Sequence, residues 1–267
     1  MFDGPIGLRS PGLFITGTDT GVGKTVIACA VAAVLRRQQR RIRVGVSKPF
    51  SSGCRRDREG LVSEDAEALA HFADCRQPLD VINPIRFSPP LAPAVAAEQA
   101  GAPIDWSELR RSLRVLDVRH DALLVEGAGG LLVPLDPADP RLTSLDLIAA
   151  IGYPVLVVSR SGLGTLNHTA MTVRLLRAAR CPIAGIVLNG YDTDVATSSD
   201  PSVATNRQWL AKMTNVNVLA VVPRVESHKV QPHKGRLDPA ILDAVAMAFW
   251  PQTLRKAIAV EKAGLAP

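Results

Sequence analysis

The 267-residue sequence predicts an α/β fold, a mostly parallel sheet with helices on both faces. Two observations carry that expectation. Short, near-continuous apolar runs rich in β-branched residues alternate with helical segments along the chain, as strands buried on both faces require. A glycine-rich turn joins the first run to the first helix, and in such sheets the active residues gather at the carboxyl ends of the strands.

The elements follow in order. Residues 13–16 (LFIT) read as the first strand and 26–35 (VIACAVAAVL) as a helix ending in Arg36, Arg37, Arg40 and Arg41, where cations complement the macrodipole. Residues 42–48 (IRVGVSK) form a second strand stopped by Pro49, and a loop runs on to Ser63. Ser63 is a candidate N-cap for a helix over 63–72, with acids in its first turn. Residues 83–93 hold too many prolines for a regular element. A helix over 106–116, a buried strand over 122–125 and a second glycine-rich loop over 126–130 come next. Strands over 154–159, 183–188 and 216–222 and a helix over 167–177 complete the alternation. The segment 237–263 reads as a terminal helical region broken at Pro251.

Composition sets the class. With 47% hydrophobic and 21% charged residues the chain can bury a full core, which excludes disorder as its main state. One domain over 12–267 behind a short N-terminal tail over 1–11 is the expected organisation. No apolar run reaches 18 residues and the N-terminus lacks a basic and apolar leader pattern, so no membrane partner is expected. Four scattered cysteines without a CxxC pair indicate neither a zinc site nor a disulfide framework and fit a reducing cytoplasm. The net charge of +6 is spread along the chain, so a solvated basic surface is favoured over a nucleic-acid partner. Within that charge, 24 of the 31 basic residues are arginine, and between Thr25 and Ala211 the sole lysine is Lys48.

The most informative stretch is GTDTGVGKT, residues 17–25, directly between strand and helix. Its glycines let backbone N–H groups wrap anionic oxygens, Lys24 supplies a point charge for the outer phosphates, and the Thr25 hydroxyl can ligate Mg²⁺. The match to GxxxxGK[ST] is displaced, because Thr18 stands where the first glycine belongs and Gly17 lies one residue early. A tight turn without nucleotide is the plain alternative, and the strand-loop-helix context with an intact Gly-Lys-Thr weighs against it.

Glu126 ends a buried strand where a Mg²⁺-binding acid of a phosphate-loop enzyme would lie. Thr25, Asp65 and Glu126 form a candidate ligand set, although on local pattern Asp65 reads first as a helix-start acid beside the dipole. The glycines after Glu126 leave backbone donors open to a substrate, unless they make a plain turn. Lys48 ends the second strand on the same rim as Lys24, and a compact ammonium suits a transferring phosphoryl group better than a planar guanidinium. Ser51 and Ser52 lack a GxSxG context, and no acid-base role is assigned to His168.

These residues carry a resemblance. GTDTGVGKT (17–25), KPFSSG (48–53), SEDAEAL (63–69), INP (82–84), VEGAGGLLVPL (125–135), LGTLNH (163–168) and GIVLN (185–189), taken together and in order, resemble the dethiobiotin synthase family. The resemblance implies a single-domain, seven-stranded-type P-loop nucleoside triphosphate hydrolase fold and a cytoplasmic homodimer. It implies an ATP- and Mg²⁺-dependent ligase of biotin biosynthesis that closes the ureido ring of dethiobiotin from 7,8-diaminononanoate and CO₂. Carried over by position, Lys24 and Lys48 would be catalytic, and Thr25, Asp65 and Glu126 would hold Mg²⁺. Thr20, Gly21, Val22, Gly23, Lys24, Thr25 and Asp65 would bind nucleotide, with Asn189, Pro223 and Arg224 on the side of the base. Ser52, Glu126, Gly127, Ala128, Gly129 and Gly130 would line the substrate site, and Leu163 and Asn167 would reach it across the dimer interface. Some members carry an acid where this chain has Gly21, and residues 224–236 match poorly. The competing reading is a partition- or division-type ATPase switch, whose signature lysine aligns with Asp19. A cobyrinate-type amide synthase would need a glutaminase domain for which the chain has no room.

Overall fold

The computed structural model describes residues 4–38, 42–58, 60–193 and 199–248. Six parallel strands form the main sheet in the order β10-β9-β8-β1-β7-β2. They are β1 (Gly12–Gly17), β2 (Val44–Ser47), β7 (Ala122–Glu126), β8 (Val155–Arg160), β9 (Ile183–Tyr191) and β10 (Val218–Pro223). β1 and β7 are buried along their whole lengths, which explains their continuous apolar runs, and β2, where apolar residues alternate with Gly45 and Ser47, is buried along its whole length as well. The resemblance implies a seven-stranded type, and the described residues place six strands in this sheet.

The order of connection sets the layers. From β1 the chain crosses through α1 (Lys24–Gln38) to the edge strand β2, then reverses and fills the sheet back through β7, β8, β9 and β10. Right-handed crossovers therefore put α1 on one face and α5 (Trp106–Arg119), α7 (Thr165–Ala178) and α8 (Val203–Thr214) on the other. α9 (Pro239–Ala246) follows β10 and packs on α1. The reversal occurs around β1, so the crevice at the carboxyl ends of β1, β7 and β8 is the place where this fold binds ligands.

Several boundaries shift. α1 begins at Lys24 and α7 at Thr165, two residues earlier than their apolar patterns indicate in each case. α2 (Glu64–Ala73) has Ser63 as its N-cap, whose hydroxyl accepts from the Ala66 amide. The loops on either side of it carry structure that local pattern does not show. Phe50 and Ser51 (β3) pair in parallel with Ile85 and Arg86 (β6), and β4 (Arg55–Asp57) pairs with β5 (Gly60–Val62) as a hairpin. α3 (Leu79–Ile82), α4 (Pro93–Ala100), α6 (Ser144–Ile151) and α8 are likewise additional. α6 is opened by Thr143 and Asp146 in a capping box. Of the predicted terminal region, α9 is present, whereas its part beyond residue 248 and the Arg40 and Arg41 end of α1 lie outside the described residues.

The start of β1 depends on one small residue. A Cβ placed on Gly12 would lie 2.2 Å from the Tyr153 ring, which is 1% exposed and whose hydroxyl donates to the Ser10 carbonyl at 2.9 Å. Gly12→Ala is expected to destabilise the fold by about 1–3 kcal/mol through overpacking, read as a lower denaturation midpoint at unchanged slope. An unchanged midpoint would mean that the ring moves aside freely.

Candidate active site

β1 delivers the chain into the turn 17–23, which passes directly into α1. Gly21 and Gly23 hold φ of 74° and 93°, the left-handed region that other residues avoid. Gly23 is doubly constrained, because a Cβ there would fall 2.0 Å from the Asn189 side-chain nitrogen. That nitrogen donates to the Val22 carbonyl at 2.9 Å, so Asn189 at the end of β9 braces the phosphate turn. The 126–130 loop lies against the same turn: a Cβ on Gly130 would stand 3.5 Å from the Thr18 carbonyl oxygen.

The two lysines and the two acids meet in one cluster. Glu126, 1% exposed at the end of β7, accepts from the Thr25 hydroxyl at 2.8 Å and from the Lys48 ammonium through the same oxygen, Oε1. The other oxygen, Oε2, is buried with no hydrogen-bond partner among the described residues. Lys48 Nζ also lies 2.9 Å from Asp65 Oδ2, in the first turn of α2. Burial works against the Lys48 charge, and the Glu126 and Asp65 carboxylates outweigh it, raising its pKa above the usual lysine range. Burial likewise works against the Asp65 carboxylate, yet Lys48 holds its pKa below the ordinary value. Lys24 differs. Burial, reinforced by the neighbouring charge of Lys48, lowers its pKa to about 8, and its ammonium donates to the Asp19 carbonyl at 3.0 Å.

A cleft of about 760 Å³ opens onto this cluster. Of the site residues named from sequence, Thr20, Gly21, Gly23, Lys24, Thr25, Lys48, Ser52, Asp65, Glu126, Ala128 and Gly129 line it. Gly127 is buried behind it against Phe14, and Val22, Gly130, Asn189, Pro223 and Arg224 sit off its wall. Pro223 and Arg224 are at the end of β10, where the Arg224 amide donates to the Tyr191 carbonyl at 2.7 Å. Leu163, 80% exposed, and Asn167 lie at the start of α7 outside the single chain's cleft.

Sequence reasoning passed over the residues that brace these groups. Asn83 is 1% exposed and its side-chain amide donates to the Lys48 carbonyl, fixing the end of β2. Ser51 bonds Ser63 at 2.9 Å, tying the substrate-side loop to the cap of the helix that carries Asp65. Pro232 and His233 reach the cleft from the chain after β10. An asparagine beside a proline in INP was the one local sign of the first of these.

A family model described as an AAA domain matches residues 11–231. The ATP-dependent dethiobiotin synthetase BioD of Anaeromyxobacter dehalogenans (strain 2CP-C) is 46% identical over 212 residues, covering 79% of this chain and 89% of that protein. The chain belongs to the dethiobiotin synthetase family. The Bacillus subtilis (strain 168) synthetase of the same name is 36% identical over 229 residues, 83% of this chain and 94% of its own. Dethiobiotin synthetase relatives thus match most of this sequence at useful identity, whereas likeness to division ATPases is confined to the fold. The MinC:MinD complex of Aquifex aeolicus superposes with a TM-score of 0.58 at 12% identity, over 94% of this chain and 96% of that one. At the position expected to carry the signature lysine of those switches, this dethiobiotin synthetase family member has Asp19, which pairs with Arg160 at 3.1 Å. Among the described residues no helix is long and apolar enough to cross a membrane.

Proposed function

We propose that this chain is an ATP-dependent dethiobiotin synthetase that joins 7,8-diaminononanoate and CO₂ in the ureido ring of dethiobiotin, releasing ADP and phosphate. The observation that carries the reading is the pair Lys24, at the start of α1, and Lys48, directly after β2, which converge on one cleft, with Lys24 donating to the Asp19 carbonyl and Lys48 held by Glu126 and Asp65. Membership of the family supports it at the level of the reaction.

One amine of the diamine attacks CO₂ and loses a proton, giving a carbamate. A carbamate oxygen attacks the γ-phosphorus of ATP, and ADP leaves with the electrons of the broken P–O bond. The second amine then attacks the carbamoyl carbon and gives up a proton to solvent, and the ring closes as phosphate departs with the electrons of the broken C–O bond. Every intermediate is anionic, so the chain's task is positioning and charge compensation more than nucleophilic attack. The phosphate turn 17–25 aims its amides at the β- and γ-phosphates, Lys24 follows the transferring group, and Lys48 compensates the carbamate. Ser52 contacts the carbamate, and Gly127, Ala128, Gly129 and Gly130 shape the diamine side. Asn189, Pro223 and Arg224 stand toward the base, Asn189 acting also through Val22.

Mg²⁺ fits Thr25, Asp65 and Glu126, because they present hard oxygens and Glu126 Oε2 is an orphaned buried acceptor. Bound there it would supply charge neutralisation to the β- and γ-phosphates. A homodimer would bring Leu163 and Asn167 of one protomer to the substrate of the other, which accounts for their exposure here.

ATP consumption by the purified protein is expected only when diamine and bicarbonate are both supplied, followed as ADP release in a coupled assay. Turnover that ignores the diamine but rises with DNA would overturn the reading in favour of a partition-type switch.

A further inference from the structure

Between β10 and α9 the chain forms a strap with two 3₁₀ turns, Ser227–Lys229 and Pro232–Lys234. The second turn packs on α1 and α2, the helices that carry Lys24, Thr25 and Asp65. Its base is closed by two backbone hydrogen bonds, from the Gln231 amide to the Arg236 carbonyl at 3.0 Å and from the Arg236 amide to the Gln231 carbonyl at 3.1 Å. Gly235 holds φ of 68°, and a Cβ there would stand 2.7 Å from His71 Nε2, so the glycine lets the turn lie close on α2. His233 is thus carried on a turn closed at its base, and it lines the phosphate cleft together with Gly21, Gly23, Lys24 and Thr25. A side chain on such a frame is preorganised for a ligand.

The charges around the ring are mixed, and most of the acids are already answered. Glu226 lies 3.5 Å from Lys229 and 3.3 Å from His228, while Lys234 and Arg236 stand on either side of Gly235. On α2, Glu67 pairs with Arg55 at 2.6 Å, which leaves Glu64 to the ring. His233 Nδ1 is 3.8 Å from Glu64 Oε2, too far for a hydrogen bond, so Glu64 steers the imidazole without satisfying it. In either protonation state an imidazole keeps an N–H to donate. The acceptors that the turn 17–25 gathers in this cleft are phosphate oxygens.

We propose that His233 is a nucleotide-contact residue, whose imidazole donates a hydrogen bond to a phosphate oxygen of the nucleoside triphosphate held by residues 17–25. The strap 226–236 then closes the α1 and α2 side of the phosphate cleft and adds a donor there to Lys24. The contact rests on the nucleotide part of the synthetase reading and not on its diamine chemistry.

Equilibrium binding to the folded full chain with Mg²⁺, without diamine or bicarbonate, tests it. His233→Ala is expected to raise the Kd for ATP about tenfold, the usual loss for one hydrogen bond to a charged acceptor. Inorganic tripolyphosphate should lose the same factor, because it carries the phosphate chain alone. His233→Gln, which keeps an N–H at similar reach, should bind ATP within about threefold of wild type. His233→Glu should bind more weakly than His233→Ala, since it sets a carboxylate against the phosphates. In the full reaction the loss should appear in KM for ATP, with kcat at saturating ATP and KM for the diamine unchanged. An ATP Kd unchanged in His233→Ala would overturn the contact and leave the synthetase reading standing. A loss for ATP without one for tripolyphosphate, or equal losses in the Ala, Gln and Glu variants, would also overturn it. Wild-type protein that binds ATP but never consumes it with diamine and bicarbonate would overturn the synthetase reading alone, and the His233→Ala binding ratio would still decide the contact. Wild-type protein that binds no ATP would overturn both.

Discussion

Lys48→Met is expected to lower turnover about 10²–10³-fold, the usual cost of removing one preorganised charge from a reacting group. It is also expected to lower stability by about 3–5 kcal/mol, because it leaves Glu126 buried without its cation. Lys48→Arg separates charge from shape. The guanidinium keeps the positive charge, but the slot between Glu126 and Asp65 leaves the native side chain only 6% exposed and cannot take a planar fork without displacement. Turnover in that variant should fall at least about tenfold. Steady-state ADP release at saturating diamine and denaturant unfolding measure the two effects. Near-normal turnover in Lys48→Arg would remove the argument that the site requires a compact charge. Unchanged stability in Lys48→Met would mean that Glu126 is not held as an anion by Lys48.

The second large effect concerns Lys24 and Glu126 together. With its pKa lowered to about 8 by burial and by Lys48, Lys24 is charged below that pH and loses its charge above it. Since kcat/KM reports the free enzyme, kcat/KM for ATP should fall as pH rises through about 8. kcat should hold to higher pH, because bound phosphate oxygens favour the charged ammonium. Glu126→Gln removes a carboxylate that helps to keep the proton on Lys24, so the inflection should move to lower pH. The same change takes away the buried acid of the proposed Mg²⁺ set, and turnover should drop about 10²–10³-fold. An inflection that stays in place in Glu126→Gln would show that the two groups do not interact. Retention of full turnover would exclude Glu126 from the ligand set.

The two lysines illustrate how far local sequence reaches. Lys24 was legible because the turn, the glycines and the following helix fall within nine residues, and each has a backbone reason to be there. Lys48 was legible locally as a lone lysine at a strand end in an arginine-rich chain, and otherwise through the KPFSSG stretch of the family resemblance. That it is clamped between Glu126 and Asp65, 78 residues away in one case, follows from β2 lying beside β7. Asp65 read first as a helix-start acid and is one, in the first turn of α2; the fold also turns it toward Lys48. Asn189 was placed on the base side by resemblance, and its brace on Val22 came into view only with β9 set against the phosphate turn. His233 carried no sequence signal at all, because nothing in the residues after β10 announces that they return to the first turn of α2.

By itself the sequence determined the kind of layer structure, the phosphate turn and the family, since apolar periodicity, capping and turn chemistry are all settled within a few residues. Only the tertiary structure decided the direction reversal around β1, the pairing of β3 with β6 and the partners of each buried charge. The physical reason is range. Backbone preferences act between neighbours, whereas the free energy of a buried ion depends on which distant groups the packed chain brings within a few ångströms of it.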